Sequence, residues 1–197
     1  MKSATLGLPT LATELWPNTD TNRWVRNSVL VVGGSLLLWV TAKAQIPFWP
    51  VPITMQTFAV LLLGAAYGWR LGGATVLLYL AEGAVGLPVF AKGAGVAYLL
   101  GPTGGYLAGF LVAVVVVGWL AQRGWDRSPI TTVSAMLIGE FIIFWLGVTW
   151  LAHLIGVDKA IAAGVMPFLW GEAAKIALAT AILPATWSLL KKTGERP

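Results

Sequence analysis

Cysteine is absent from the 197-residue chain, and histidine occurs once, at His153. The first absence excludes disulfides, thiol catalysis and Cys-ligated metals. The second leaves too few ligands for a zinc site and too few parts for a Ser-His-Asp triad. Charge is also scarce: Asp, Glu, Lys and Arg make up 11% of the residues, against roughly 25% in an ordinary soluble domain. Apolar residues take their place, at 57% of the composition with a mean hydropathy of +0.78. A soluble monomer of this length has too little interior to hide that much apolar surface. Neither a disordered chain nor a nucleic-acid-binding domain has this balance. An integral, multi-pass membrane protein remains, with no catalytic residue, metal or cofactor expected.

Six stretches are candidates for membrane spans: 28–44, 53–67, 71–85, 104–121, 131–155 and 168–190. Most approach the ~20 residues needed to cross a bilayer. The second and third are shorter and are separated only by Gly68-Trp69-Arg70, so they form either a tightly turned pair or one broken helix, and the distribution of Lys and Arg selects the turned pair, since merging them would spoil the count. The first 22 residues show no apolar signal core or cleavage site and read as a cytoplasmic tail. The expected fold is all-α: a cytoplasmic tail over 1–22, one six-helix membrane domain over 23–190 and a second cytoplasmic tail over 191–197. No internal repeat is visible, which disfavours an inverted-repeat transporter.

Cationic residues concentrate on the cytoplasmic side of short loops. With both termini inside, that side carries Lys2, Arg23, Arg26, Arg70, Arg123, Arg127, Lys191, Lys192 and Arg196, while Lys43, Lys92 and Lys159 fall outside. Trp24, Trp49, Trp69, Trp119, Trp125, Trp170 and Trp187 lie near predicted helix ends, where indoles anchor at the headgroups. Small residues recur at every fourth position in Gly64/Gly68/Gly72, Gly101/Gly105/Gly109 and Ala173/Ala177/Ala181. Such rows let helices approach closely, within the chain or against another membrane subunit.

Ionisable groups inside spans carry the sharpest functional signal, since each costs about 2.5–3.5 kcal/mol at mid-membrane. They are Glu82, Glu140, Glu172 and Lys175. Glu172 and Lys175 are three residues apart and share a helix face, toward the outer half of the last span. Glu140 has no cation at helical spacing, so it pairs across the bundle or carries a proton. Glu82 precedes a Gly/Pro-rich helix end and either lines a site or meets water there. The segment 45–56 holds three prolines in six residues and forms a stiff outer rim containing Gln56. The loop 89–103, with Lys92 and Tyr98, forms a second and more mobile one. Gly101–Gly105 lacks the Lys-Ser/Thr ending of a phosphate loop. With no nucleotide signature, ATP belongs to partner subunits only. The inventory suits a small, partly apolar anion.

Four blocks resemble the BioY family, the biotin-binding S components of energy-coupling-factor (ECF) transporters. They are Pro50-Val51-Pro52-Ile53-Thr54-Met55-Gln56-Thr57, the stretch from Tyr79-Leu80 through Gly86-Leu87-Pro88-Val89-Phe90-Ala91, Leu99-Leu100-Gly101-Pro102-Thr103-Gly104-Gly105-Tyr106, and 164–175. The resemblance spans about 24–190. It implies a six-helix S-component bundle in the cell membrane that takes biotin from outside and works with a coupling protein and two ATPases. The family's acidic residue and lysine on the last helix map to Glu172 and Lys175, with Glu replacing the usual Asp. Lys92 is the nearest counterpart of a polar residue in the loop after the third helix. A small-residue motif on the first helix that contacts the coupling protein is degraded here to Gly34, Leu38 and Ala42.

The expected ligand-binding residues are therefore Glu172, Lys175, Lys92, Gln56 and Tyr98. Glu172 is assigned to the ureido N–H groups and the two lysines to the carboxylate or the ureido oxygen. Lys175→Ala is expected to weaken binding with the fold intact. A self-sufficient carrier driven by an ion gradient is the alternative, with Glu140 or Glu82 titrating. An intramembrane enzyme using Glu172 as base lacks supporting motifs. Homo-oligomers are compatible with the sequence.

Overall fold

The structure is a computed structural model describing residues 7–17 and 23–194. Lys2, Arg196 and the rest of 1–6, 18–22 and 195–197 lie outside the described residues. The chain is mostly helical, in the order α1 (Leu11–Leu15), α2 (Arg23–Lys43), β1 (Gln45–Ile46), β2 (Ile53–Thr54), α3 (Gln56–Ala84), α4 (Val96–Leu99), α5 (Gly104–Ala121), α6 (Pro129–Ile155), α7 (Val157–Gly164) and α8 (Leu169–Gly194). The all-α expectation is corrected by one small hairpin, in which Gln45 pairs with Thr54 and Ile46 with Ile53. Prolines at 47, 50 and 52 deny the connection a helix, and its flanks satisfy their backbone groups on each other instead.

The helices α2, α5, α6 and α8 are each long and apolar enough to cross a membrane, and α3 is so only when its two parts are counted as one run. Within α3 the chain reverses at Gly68, whose backbone lies at φ 78° and ψ 172°, a region open essentially to glycine alone. In an unbroken helix Gln56 and Tyr79 would stand roughly 34 Å apart. Instead Gln56 Nε2 donates to the Tyr79 hydroxyl over 2.8 Å. The arms 56–67 and 69–84 thus run back along each other, and a Cβ on Gly72 would lie 3.5 Å from the Gly64 Cα.

The folded-back α3 packs on α5, which packs in turn on α6. Without a hydrophobic force between helices in lipid, such seams depend on close backbone approach. A Cβ on Gly118 would fall 2.5 Å from the Trp69 nitrogen, and one on Gly109 would fall 2.9 Å from the Ile143 Cα. Two of the small-residue rows are therefore seams within the chain. The third is not, because Ala173, Ala177 and Ala181 are exposed. Gly34, Leu38 and Ala42 are all buried, and a Cβ on Gly34 would come 2.6 Å from Thr75 Cγ2. That face of α2 is spent on α3.

One end of the bundle gathers the 7–17 segment, the Gly68 reversal, the α5–α6 connection and the last turns of α8. There Arg26 donates to the carbonyls of Ala12 (2.5 Å) and Trp16 (2.6 Å), burying part of the segment expected to be a tail. Arg127 donates to the Pro9 carbonyl over 3.1 Å. The hairpin β1–β2, the loop 85–103 and α7 occupy the other end. Trp24, Trp49, Trp119 and Trp170 are exposed near helix ends, but Trp187 is buried. Its indole donates to Asp126 Oδ2 over 2.5 Å, and Arg127 stacks on its ring at 4.3 Å.

Two predictions follow from this frame. Gly68→Ala should lower the thermal midpoint in detergent, costing about 1–3 kcal/mol, while Gly33→Ala, which meets nothing within 4 Å, should not. Asp126 lies outside the spans, and burial raises its carboxyl above the ordinary 3.8 despite the Trp187 hydrogen bond. The folded state therefore binds its proton more tightly than the unfolded chain, so this residue's contribution falls as pH climbs from 3.8 through the raised value. Asp126→Asn should flatten that slope in thermal melts taken across acid pH.

Candidate binding site

The inward stripe of α8 is Glu172, Lys175, Ala179, Leu183 and Trp187, all buried at helical spacing. Lys175 Nζ pairs with Glu172 Oε1 at 2.9 Å. It also donates to Thr57 Oγ1 (3.0 Å) and to the Thr54 carbonyl (2.5 Å), so each of its three hydrogens has an acceptor. The Thr57 hydroxyl donates to Glu172 Oε2 over 2.7 Å. This closed set of bonds ties the β2–α3 corner to the start of α8. Glu172 and Lys175 keep only 5% and 7% of their surface, and a buried pair survives when its remaining polar atoms are satisfied.

Above the pair lies a narrow cleft, about 40 Å³ in volume and partly open to solvent. Its polar side is Thr54, Gln56, Thr57, Thr103 and Glu172, and its apolar side is Tyr98, Tyr106, Phe110, Phe144 and Phe168, with Val51 and Pro52 at the rim. The aromatics are braced from outside the cavity. Tyr98 stacks on Phe90 with centroids 5.0 Å apart, and Phe90 meets Tyr79 edge-on at 5.5 Å. Phe144 contacts both Tyr106 and Phe168 edge-on, and the Tyr106 hydroxyl donates to the Gly164 carbonyl over 2.8 Å.

The structure brings Glu172, Gln56 and Tyr98 to the cavity wall. Lys175 sits behind Glu172 rather than on the wall. Lys92 is exposed and donates to the Phe48 carbonyl over 2.8 Å, joining the two outer loops. Glu82 lies away from the cavity and accepts a short hydrogen bond from the Ser35 hydroxyl of α2. Gly101–Gly105 is a tight turn, its Gly101 carbonyl held by Trp150 Nε1 at 2.9 Å. Sequence reasoning named Tyr98 but missed Thr57, Thr103, Tyr106, Phe110, Phe144 and Phe168. Thr57 carried a signal, one residue beyond Gln56 within the Pro-rich block, whereas Tyr106, Phe144 and Phe168 meet only through packing of α5, α6 and α8. No cluster fit to hold a metal occurs among the described residues.

A buried ion pair beneath an amphipathic cavity, in a bundle of apolar helices, is the frame of a polytopic membrane protein with a polar site inside it. The chain belongs to the BioY family, whose pattern matches residues 9–192. It is 38% identical over 144 residues to the probable biotin transporter BioY of Pyrococcus horikoshii, covering 73% of this chain and 85% of that one. It is 40% identical over 149 residues to the biotin transporter BioY of Thermotoga maritima, covering 74% and 86%. A crystal structure described as the S-component for biotin from an ECF-type ABC transporter shares the fold at TM-score 0.71 and 23% identity, covering 87% of this chain and 95% of that one.

The burial of the pair attaches a folding cost to Lys175→Ala, which would leave Glu172 buried beside an empty space and cost about 3–5 kcal/mol. Thr57→Val is the milder probe. It keeps the volume but deprives both Lys175 and Glu172 of a partner, and should lower stability in detergent melts by about 1–3 kcal/mol.

Proposed function

We propose that this chain is the biotin-binding component of an uptake system in the cell membrane. Counting the arms of α3 separately gives six crossings. The end that gathers Arg23, Arg26, Arg70, Arg123, Arg127, Lys191 and Lys192 then lies in the cytoplasm together with both termini. The cavity opens at the opposite end, so biotin enters from outside and leaves inward, with an ECF coupling protein and two ATPases supplying the work.

One observation carries this reading: Glu172 presents an ionised acceptor to a cavity walled by aromatic side chains. Biotin offers matching parts, a ureido ring with two N–H donors and one acceptor, an apolar bicyclic body and a carboxylate tail. Glu172 accepts from the ureido N–H groups and the hydroxyls and amide of Thr57, Thr103 and Gln56 serve the remaining ring atoms. Tyr98 and Phe168 flank the bicycle. The tail points to the rim, where Lys92 leaves Phe48 to meet the carboxylate. Lys175 acts through Glu172 and takes a ligand oxygen only by giving up one of its present acceptors.

A second reading, a carrier driven by an ion gradient without a coupling module, is favoured by the burial of Gly34, Leu38 and Ala42 against α3. Biotin uptake by vesicles holding this chain alone, abolished by an uncoupler, would select it. The test of the leading reading is biotin binding to the purified protein in detergent, without ATP or partners. Binding is expected, with Glu172→Gln weakening it by about tenfold or more through loss of a charged acceptor. No binding by the folded protein, or equal binding by the variant, would overturn it.

A further inference from the structure

Glu140, on α6, is 6% exposed and borders the same small buried space as Lys175. Both of its oxygens are buried, and neither is in hydrogen-bonding geometry with any described donor. Its surroundings are Phe58 and Leu61 from α3, Met136 from α6, and Lys175, Ile176 and Ala179 from α8. The ionisable neighbours that interact with it are Glu172 and Lys175, and α3 presents none among the described residues. Lys175 has no hydrogen left to donate to it, because its three ammonium hydrogens already go to Thr54, Thr57 and Glu172, and its charge is already matched by Glu172. An ionised Glu140 would place two carboxylates around one fully engaged ammonium at membrane depth. That arrangement is costly because no water or donor compensates the second charge.

We propose that Glu140 is a protonated carboxylic acid that offers its hydrogen to Glu172, a positioning residue for the carboxylate that faces the cavity. The cluster is then neutral overall, with one ammonium, one carboxylate and one acid. It also acquires a donor for Glu172 to complement Thr57. Two supports then hold the carboxylate toward the ligand, Thr57 from the cavity wall and Glu140 from outside it. The role in biotin binding rests on the function proposed above, whereas the proton on Glu140 does not.

The experiment therefore has two arms. In the first, infrared spectra of the ligand-free protein in detergent at neutral pH are compared with those of Glu140→Gln. A protonated-carboxyl C=O band that shifts in D2O and disappears in the variant is expected, and a spectrum with no such band lost overturns the proposal. In the second, biotin affinity is measured for the wild type, Glu140→Gln and Glu140→Leu. The amide keeps a donor and should bind within about threefold of the wild type, while leucine keeps the bulk without a donor and should lose about tenfold or more. Equal affinities of the two variants would overturn the positioning role. A wild type that binds no biotin would instead overturn the function proposed above and leave the infrared result to decide the proton.

Discussion

An ammonium ion cannot be left without acceptors at the depth of a bilayer, and Lys175 meets that demand from two elements at once. Its partners are Glu172 on its own helix and the Thr54 carbonyl and Thr57 hydroxyl at the start of α3. Since each bond replaces water that is not there, the β2–α3 corner and the head of α8 have one relative position that satisfies the charge. Much else follows from that position. It sets Glu172 at the cavity floor, puts Gln56 on the wall, and draws the Pro-rich rim with Val51 and Pro52 over the opening.

The scaffold that permits this closeness is made of glycine. Helices in lipid gain little from burying apolar surface and must gain from contact and hydrogen bonds. Gly68 turns the chain through a backbone conformation that other residues resist, and Gly118 lets Trp69 rest almost directly on α5. Once α3 is folded back, Gln56 and Tyr79 meet, and the Tyr79 hydroxyl donates onward to the Val89 carbonyl over 3.0 Å. The outer loop is thereby fixed to the same hairpin that carries the polar wall. Lys43 and Gln45 add hydrogen bonds to the Phe90 and Ala91 carbonyls. The loop holding Tyr98 is tethered along its first half and braced by aromatic stacking beyond it.

A transport site must also release what it holds, and the distribution of bonds bears on where that happens. The two outer loops are joined by Lys92 to Phe48 and by Gln45 to Ala91, and of these the exposed lysine contact is weak. The floor, by contrast, is a closed set of buried bonds. Parting Lys92 from Phe48 therefore breaks a weaker contact than any in the floor, where every bond of Lys175 is buried.

The sequence by itself determined the class of the protein and most of its outline. Sparse charge and apolar stretches set a helical membrane fold, and the three-residue spacing of Glu172 and Lys175 set their pairing, because both depend on composition and helical period alone. The Gly68 break was visible and the distribution of Lys and Arg already favoured a turned pair over one broken helix, and the Gln56–Tyr79 bond together with the close approach of Gly72 to Gly64 shows the reversal. Tertiary structure also decided that Lys175 stands behind the carboxylate, that Trp187 leaves the interface to meet Asp126, and that Thr57, Tyr106, Phe144 and Phe168 share one cavity. These depend on contacts between helices far apart in the chain. A residue's periodicity names the face it occupies, but the neighbour against that face is fixed by which helices approach closely enough to satisfy every buried polar group.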